Sequence, residues 1–337
     1  MDYKRVRELE ERILDNPMNI LKEYLYSISK FHSSRTPFWK GKIGDWMFDG
    51  KTWEVVENLI NELWVRDSIL KERWLEFIPE KYEGRLRFYQ SSGSTGKRKF
   101  VHWDEEWIGL LVKYLKRGLE DVYRFRVKHA LVHGPYGWYQ EEMSELIWSF
   151  GGKLYFIGIE TDGLKKVLQE KGMEGIRELL TPLINYSLRV LEKDGQINTV
   201  RTTPQLAELL IPYRERIENL MISGTEVNIE TIRRLKDLLP STKLIPLYGH
   251  FLFGDCLGMV EERGLIYYPF YPFTIILPVK KEGGRFRIVK YGERGKLTII
   301  VARPEIFFVT IEDEEIERVE KRKPFKYDGF SNPKRRL

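Results

Sequence analysis

Apolar residues recur at helical spacing through the first eighty positions of the chain. Val6, Leu9 and Ile13 form one series, and Ile20, Leu21, Tyr24, Leu25 and Ile28 form the next. Positions three or four apart share one helix face, so both series predict amphipathic helices, with a break near Asn16-Pro17. The pattern returns from Trp53 to Val65 and from Ile69 to Phe77, predicting two more helices. Residues 1–80 therefore read as a helical N-terminal region.

Residues 81–255 alternate in texture. Asp104 is placed to cap a helix whose acidic first turn (Glu105, Glu106) suits the positive end of the helix dipole. Leu110, Leu111, Tyr114 and Leu115 carry that helix to about Phe125. Strand-like runs at Ala130–Val132, Leu154–Ile157, Ile197–Arg201, Leu220–Ser223 and Leu244–Leu247 alternate with helical segments. Three of those segments lie near 162–193, 204–211 and 228–239, the last capped by Asn228 and stopped by Pro240. Such alternation predicts an α/β layer with a largely parallel sheet. Residues 256–320 change character again, with short Val, Ile, Tyr and Phe runs broken by Gly264, Pro272, Gly283-Gly284, Gly292 and Gly295. They predict an antiparallel sheet or small barrel. Residues 321–337 are basic, and Lys334-Arg335-Arg336 reads as a solvated tail.

With 337 residues, 42% apolar and 31% charged, the chain has the composition of a soluble globular protein able to bury a large core. It has no apolar run near the roughly 18 residues of a membrane span, and its N-terminus is too charged for a secretory signal. A cytoplasmic protein without membrane attachment is expected. Cys256 is the single cysteine, which excludes an internal disulfide and a cysteine-based zinc site. The net charge of +6 suits an anionic substrate. A nucleic-acid partner is not expected, because the aromatics fall at core-like spacings rather than among basic runs. Abundant Lys, Arg and Glu with few Gln resembles a thermophile's composition.

The densest chemistry lies in Ser91-Ser92-Gly93-Ser94-Thr95-Gly96-Lys97-Arg98-Lys99. Glycines that let backbone N–H groups approach a ligand stand here with four hydroxyls and three cations. It is not a Walker A motif: two residues separate the glycines and Arg98 follows Lys97. On the residues alone the stretch is either a polar turn or a polyphosphate cradle.

It resembles the phosphate loop of the adenylate-forming superfamily (roughly Thr-Ser-Gly-Ser-Thr-Gly-x-Pro-Lys), with Arg98 where proline is usual. Further matches follow in the expected order. His133-Gly134-Pro135-Tyr136-Gly137-Trp138 is similar to the family's acyl- or aryl-pocket segment, and Val200-Arg201-Thr202-Thr203-Pro204-Gln205-Leu206 to its Thr-Pro-x-x-Leu element. Ser223-Gly224-Thr225-Glu226 resembles the turn along the adenine, and Tyr248-Gly249-His250 the Tyr-Gly motif that stacks on it. Gly292-Glu293-Arg294-Gly295-Lys296-Leu297 resembles a strand lead-in, after which Glu312 or Asp313 takes the register of the ribose-binding acid. Taken singly, these segments also read as glycine-rich turns, a helix start and an acidic surface turn.

The resemblance, strongest toward phenylacetate-CoA ligases and acyl-protein synthetases, implies the large N-terminal-domain fold of adenylate-forming enzymes. That fold is α/β, a mixed sheet with helices plus the C-terminal antiparallel sheet. It implies ATP or AMP held by Ser91 to Gly96, Gly224 to Glu226, Tyr248 to His250 and Glu312 or Asp313. Lys97, Lys99 and His133 take catalytic roles, and His133, Tyr136 and Gly137 face a carboxylic-acid substrate. Two departures accompany it. Leu252 stands where the family has a magnesium-binding Glu, and leucine cannot ligate a hard cation; Asp255 is either a displaced carboxylate or a turn residue. The chain also ends about twenty residues past the ribose-acid register, where the family continues into a domain carrying a catalytic lysine. The expectation is carboxylate adenylation completed by a partner protein; the alternative is a non-catalytic nucleotide- or acyl-binding subunit. Self-acylation would have Cys256 as its only thiol.

Overall fold

The computed structural model describes residues 3–8, 12–13, 17–91, 98–159, 161–224, 227–262 and 264–335. The helices are α1 (Tyr3–Glu8), α2 (Pro17–Arg35), α3 (Thr52–Leu63), α4 (Glu105–Tyr123), α5 (Trp138–Ser149), α6 (Thr161–Lys193), α7 (Pro204–Ala207) and α8 (Ile229–Leu238). The strands are β1 (Leu86–Gln90), β2 (Phe100–Asp104), β3 (His129–Gly134), β4 (Lys153–Gly158), β5 (Ile197–Thr202), β6 (Asn219–Ile222) and β7 (Lys243–His250). After these come β8 (Gly254–Glu261), β9 (Gly264–Tyr268), β10 (Thr274–Glu282), β11 (Arg285–Ile288), β12 (Arg294–Ala302), β13 (Phe307–Val319) and β14 (Gly329–Arg335). The chain forms two compact units. The first combines Met1–Tyr89, Lys99–Trp107 and Ile266–Leu337; the second combines Gln90–Arg98 and Ile108–Leu265.

In the first unit the strands run in the order β11-β10-β12-β13-β14-β9, and every pairing is antiparallel. Helix α2 buries Ile20, Leu21, Tyr24, Leu25 and Ile28, and α3 buries Val55, Val56, Leu59, Ile60 and Leu63. These are the predicted apolar faces, each side chain contributing about 1.5–3 kcal/mol when buried. Edge strand β11 is capped by α3: Asn61 exchanges hydrogen bonds with the Phe286 backbone (2.9 and 2.7 Å), and the Ile288 N–H donates to Glu57 (2.9 Å). Covering the edge in this way removes a template for strand addition.

The segment joining β12 to β13 is buried, so its carbonyls need donors from elsewhere. Side chains distant in sequence supply them. Tyr24 donates to the Ala302 carbonyl (2.7 Å), His32 Nε2 to Arg303 (2.8 Å), His102 Nε2 to Glu305 (2.7 Å) and Trp39 Nε1 to Phe307 (2.7 Å). A carbonyl only accepts, so both histidines carry their proton on Nε2. Burial holds the His32 ring down at about 3 and the His102 ring at about 4.

Two expectations change in this unit. Residues 69–77 are not one helix but two 3₁₀ turns, Asp67–Lys71 and Trp74–Phe77. Packing decides this. Phe77 stacks on Phe38 while Trp74 stacks on Phe100, directions that one α-helical face does not serve. Part of the closing basic segment is a strand in which Lys334 is exposed, and Arg336 lies outside the described residues. Residues 329–335 form β14, paired with β13 and β9, because Phe325, Tyr327 and Phe330 bury their rings and hold the segment in the sheet.

In the second unit β4, β3, β5, β6 and β7 are parallel neighbours, and β8 returns antiparallel to β7. The predicted strands and helices are present. Asn228 caps α8 through Thr231 N–H (2.9 Å), and α6 is interrupted at Gly172 (φ 62°). The fold is thus mixed α/β, as the alternation and the resemblance both implied. Among the described residues no helix is long and apolar enough to cross a membrane.

Candidate functional site

The sheet of the second unit has a topological switch. From β3 the chain steps outward to β4, then crosses back over β3 to β5 and continues to β6 and β7. Right-handed crossovers in opposite directions put their helices on opposite faces and open a crevice at the carboxyl ends of the strands. The sequence-predicted segments gather there: His133-Gly134 ends β3, Thr202 ends β5, Ser223-Gly224 follows β6, and Tyr248-Gly249-His250 ends β7.

His133 is buried, with Nδ1 2.9 Å from Thr202 Oγ1 and Nε2 2.8 Å from Ser187 Oγ. Burial lowers its pKa to about 4, so the ring is neutral near pH 7 and both nitrogens are engaged within the unit. The ring bridges β3, β5 and α6 and is buried. Tyr136 is the exposed aromatic of that segment (63%), with its ring 5.8 Å from Phe156. Gly137 precedes α5 at its N-terminus.

Gly224 has φ +88°, a left-handed conformation that side-chain-bearing residues rarely adopt. The chain can therefore flatten after β6, which is what a turn lying along a purine needs. Thr225 and Glu226 lie outside the described residues. On β7, Tyr248 is half-buried and Gly249 exposed. His250 stacks on Phe253 (5.1 Å between centroids) and its Nδ1 accepts the Leu252 N–H at 3.3 Å, closing the turn into β8.

Leu252 is fully buried in that turn. Asp255 is neither a displaced cation ligand nor a turn residue. It sits in β8, buried, with Oδ2 2.6 Å from Arg201 Nη2. A carboxylate committed to a guanidinium has little left for a hard cation, so these residues do not fit a magnesium ion. Among the described residues no cluster of three His, Cys, Asp or Glu side chains could hold a metal. Cys256 is buried beside Asp255, and burial with that charge pushes its thiol well above the usual range. This thiol is not a nucleophile.

Ser92 to Lys97 lie outside the described residues. At the base of that stretch, within the second unit, Arg98 Nη1 donates to Gln90 Oε1 at 2.7 Å; Ser91 stands next to it. In the first unit, Lys99 is ion-paired with Asp67 of the 3₁₀ turn, both side chains being largely buried. Glu312 and Asp313 lie on β13, at a bulge rather than in a surface turn. Thr298 pairs with Ile311 and Lys296 with Glu315, leaving three residues of β13 opposite Leu297. Glu312 is half-buried, whereas Asp313 is fully exposed, 3.7 Å from Lys296 Nζ.

Sequence reasoning missed the charged cluster under the second unit's sheet, Arg201 with Asp255 and Glu142, and the buried Arg303–Glu305 pair of the first (3.0 Å). The available signal was an arginine inside the strand run Ile-Asn-Thr-Val-Arg-Thr and a glutamate on the apolar side of α5.

No family model matches the sequence, and no curated protein matches it. The fold, in contrast, has solved counterparts. One is 2-hydroxyisobutyryl-CoA ligase in complex with 2-HIB-AMP and CoA in the thioesterification state: TM-score 0.66, 13% identity, covering 94% of this chain and 66% of that one. An open conformation of the same ligase, also with 2-HIB-AMP and CoA, gives TM-score 0.64 at 12% identity, covering 94% of this chain and 73% of that one. The chain therefore spans 66–73% of the length of those ligases. Its fold is shared with that ligase.

Proposed function

We propose that the chain binds ATP and activates a carboxylic acid as its acyl- or aryl-adenylate. The observation that carries this reading is the gathering of four matched segments at the carboxyl ends of β3, β5, β6 and β7, on a fold shared with an acyl-CoA ligase. In the reaction a carboxylate oxygen attacks the α-phosphorus of ATP. The new P–O bond forms as the bond to the β-phosphate bridging oxygen breaks, and pyrophosphate leaves with the electron pair. Such a displacement asks for positioning and charge neutralisation rather than covalent help.

Tyr248 and Gly224 hold the adenine, and the resemblance assigns the phosphates to Ser91 to Lys99 and the ribose to Glu312 or Asp313. Tyr136 and Gly137 line the acid. His133, neutral and internally bonded, orients Thr202 at the mouth of the crevice instead of moving a proton. Because the ligase of like fold was solved in complex with 2-HIB-AMP and CoA, CoA is the acceptor proposed first.

Equilibrium titration with ATP and AMP tests the binding half of this reading. The protein should bind both, and Lys97→Ala should weaken ATP tenfold or more while changing AMP less than threefold, since AMP lacks the β- and γ-phosphates. Equal losses for the two nucleotides would remove Lys97 from the phosphate site. Absence of binding to either would sink the proposal.

A second reading, nucleotide binding without turnover, draws on the burial of Leu252 and the pairing of Asp255 with Arg201. It shares the binding prediction and parts from the first at catalysis.

A further inference from the structure

Arg201 lies at the end of β5, just before the crevice, and is fully buried. Its guanidinium makes contact in three directions. Nη2 pairs with Asp255 Oδ2 at 2.6 Å, and Nε and Nη2 lie 3.4 and 3.2 Å from Ser223 Oγ. The plane also rests over the Tyr139 ring, with Cζ 3.9 Å from the centroid. Tyr139 in turn donates to the His133 carbonyl at 2.9 Å.

Each contact ends on a segment that borders the crevice. Ser223 immediately precedes the left-handed Gly224. Asp255 is the direct cross-strand partner of Gly249. A Cβ added at Gly249 would stand 2.6 Å from Asp255 Oδ1 and 3.4 Å from the Trp138 ring, so only glycine lets β7 lie this close to the carboxylate. One guanidinium thus ties together the ends of β5, β6 and β7.

The cluster holds a further acid, Glu142 of α5, completely buried. Burial, with the Asp255 charge adding, pushes the Glu142 carboxyl well above the usual range. A neutral Glu142 beside Asp255 leaves one cation and one anion, a balance that a sealed site tolerates far better than two anions.

We propose, building on the adenylation reading, that Arg201 is a positioning residue for nucleotide binding, setting the Ser223-Gly224 turn and the Tyr248-Gly249 segment at the spacing an adenine ring requires. Arg201 does not touch the nucleotide. Its effect passes through Ser223 and Asp255, so weakening either link loosens the adenine site while the strands stay paired.

The test measures AMP affinity by calorimetric titration on the full chain, beside thermal melting. Ser223→Ala removes a single hydroxyl and is the deciding variant; Asp255→Asn is the stronger one. Ile147→Val, a core change elsewhere in the same unit, serves as the stability control. The expected result is a loss of AMP affinity of threefold or more in Ser223→Ala and tenfold or more in Asp255→Asn, with Ile147→Val within twofold of wild type. A loss below threefold in Ser223→Ala overturns the inference, as does an equal loss in Ile147→Val. If the wild-type chain binds no AMP, the adenylation reading falls and this inference with it. Wild-type binding with an insensitive Ser223→Ala removes this inference alone.

Discussion

Glu305→Leu is expected to destabilise the first unit by about 3–5 kcal/mol, the cost of leaving a buried charge without its partner. Arg303 and Glu305 are both fully buried, 3.0 Å apart, and the guanidinium stacks on Trp107 with Cζ 4.4 Å from the ring centroid. Tyr3 donates to the same carboxylate at 2.7 Å, so the substitution also strips a buried hydroxyl of its acceptor. The two partners are not symmetric. An arginine cannot shed its proton inside a protein, whereas burial already pushes the Glu305 carboxyl upward against the pull of Arg303. Arg303→Leu leaves an acid that can become neutral, at a cost of about 1–3 kcal/mol. The double variant should recover much of the Glu305→Leu loss, because no charge is then left alone. Urea denaturation of the three variants measures all three values. A Glu305→Leu loss under 1 kcal/mol would show that the pair is not sealed as described.

Acid should weaken the same unit through its histidines. His32 and His102 titrate near 3 and 4 in the folded chain, lowered by burial, with the Arg303 charge adding at His102. Unfolded histidine titrates near 6.5, so between that pH and the folded values the unfolded chain binds the extra protons. The stabilisation is complete above about pH 6.5 and drains away as pH falls toward 4, at about 1.4 kcal/mol per pH unit for each ring. Buried carboxyls such as Glu305, whose pKa is raised, act in the opposite sense, so the informative quantity is a difference between variants. His102→Gln keeps an N–H for the Glu305 carbonyl and removes one titrating group. Its stability should fall with acid less steeply than wild type, by about 1 kcal/mol per pH unit between pH 6.5 and 5. Parallel profiles would mean that His102 is already protonated in the folded chain.

Both predictions concern features that local pattern did not reveal, and the reason is physical. The Ile20–Ile28 series on α2, the Asn228 cap and the strand at Ile197–Thr202 are written in neighbouring residues, and they appear where expected. Tyr3 and Glu305 are 302 positions apart, and His32 lies 271 positions from its Arg303 acceptor. No window along the chain contains such pairs. Residues 69–77 illustrate the converse, where helical spacing gave way to the separate demands of Trp74 and Phe77. The basic residues after 329 concealed a strand because its buried anchors, Phe325, Tyr327 and Phe330, are few among many charges.

The candidate site divides in the same way. Its segments were legible because glycine, tyrosine and proline stand in a recognisable order. Their condition was not. That His133 is sealed and neutral, that Lys99 pairs with Asp67 and that Asp255 pairs with Arg201 all depend on contacts between distant elements. Where the sequence left Asp255 as a cation ligand or a turn, the fold makes it the counter-ion of a buried arginine.

Adenylation itself is tested most directly by ATP–pyrophosphate exchange, measured on the chain with a panel of fatty and aromatic acids and repeated with cell extract. The account predicts acid-dependent exchange with at least one member of the panel, reduced tenfold or more by Lys97→Ala. Exchange with no acid, with or without extract, from a chain that binds ATP and AMP would contradict it and leave nucleotide binding without turnover.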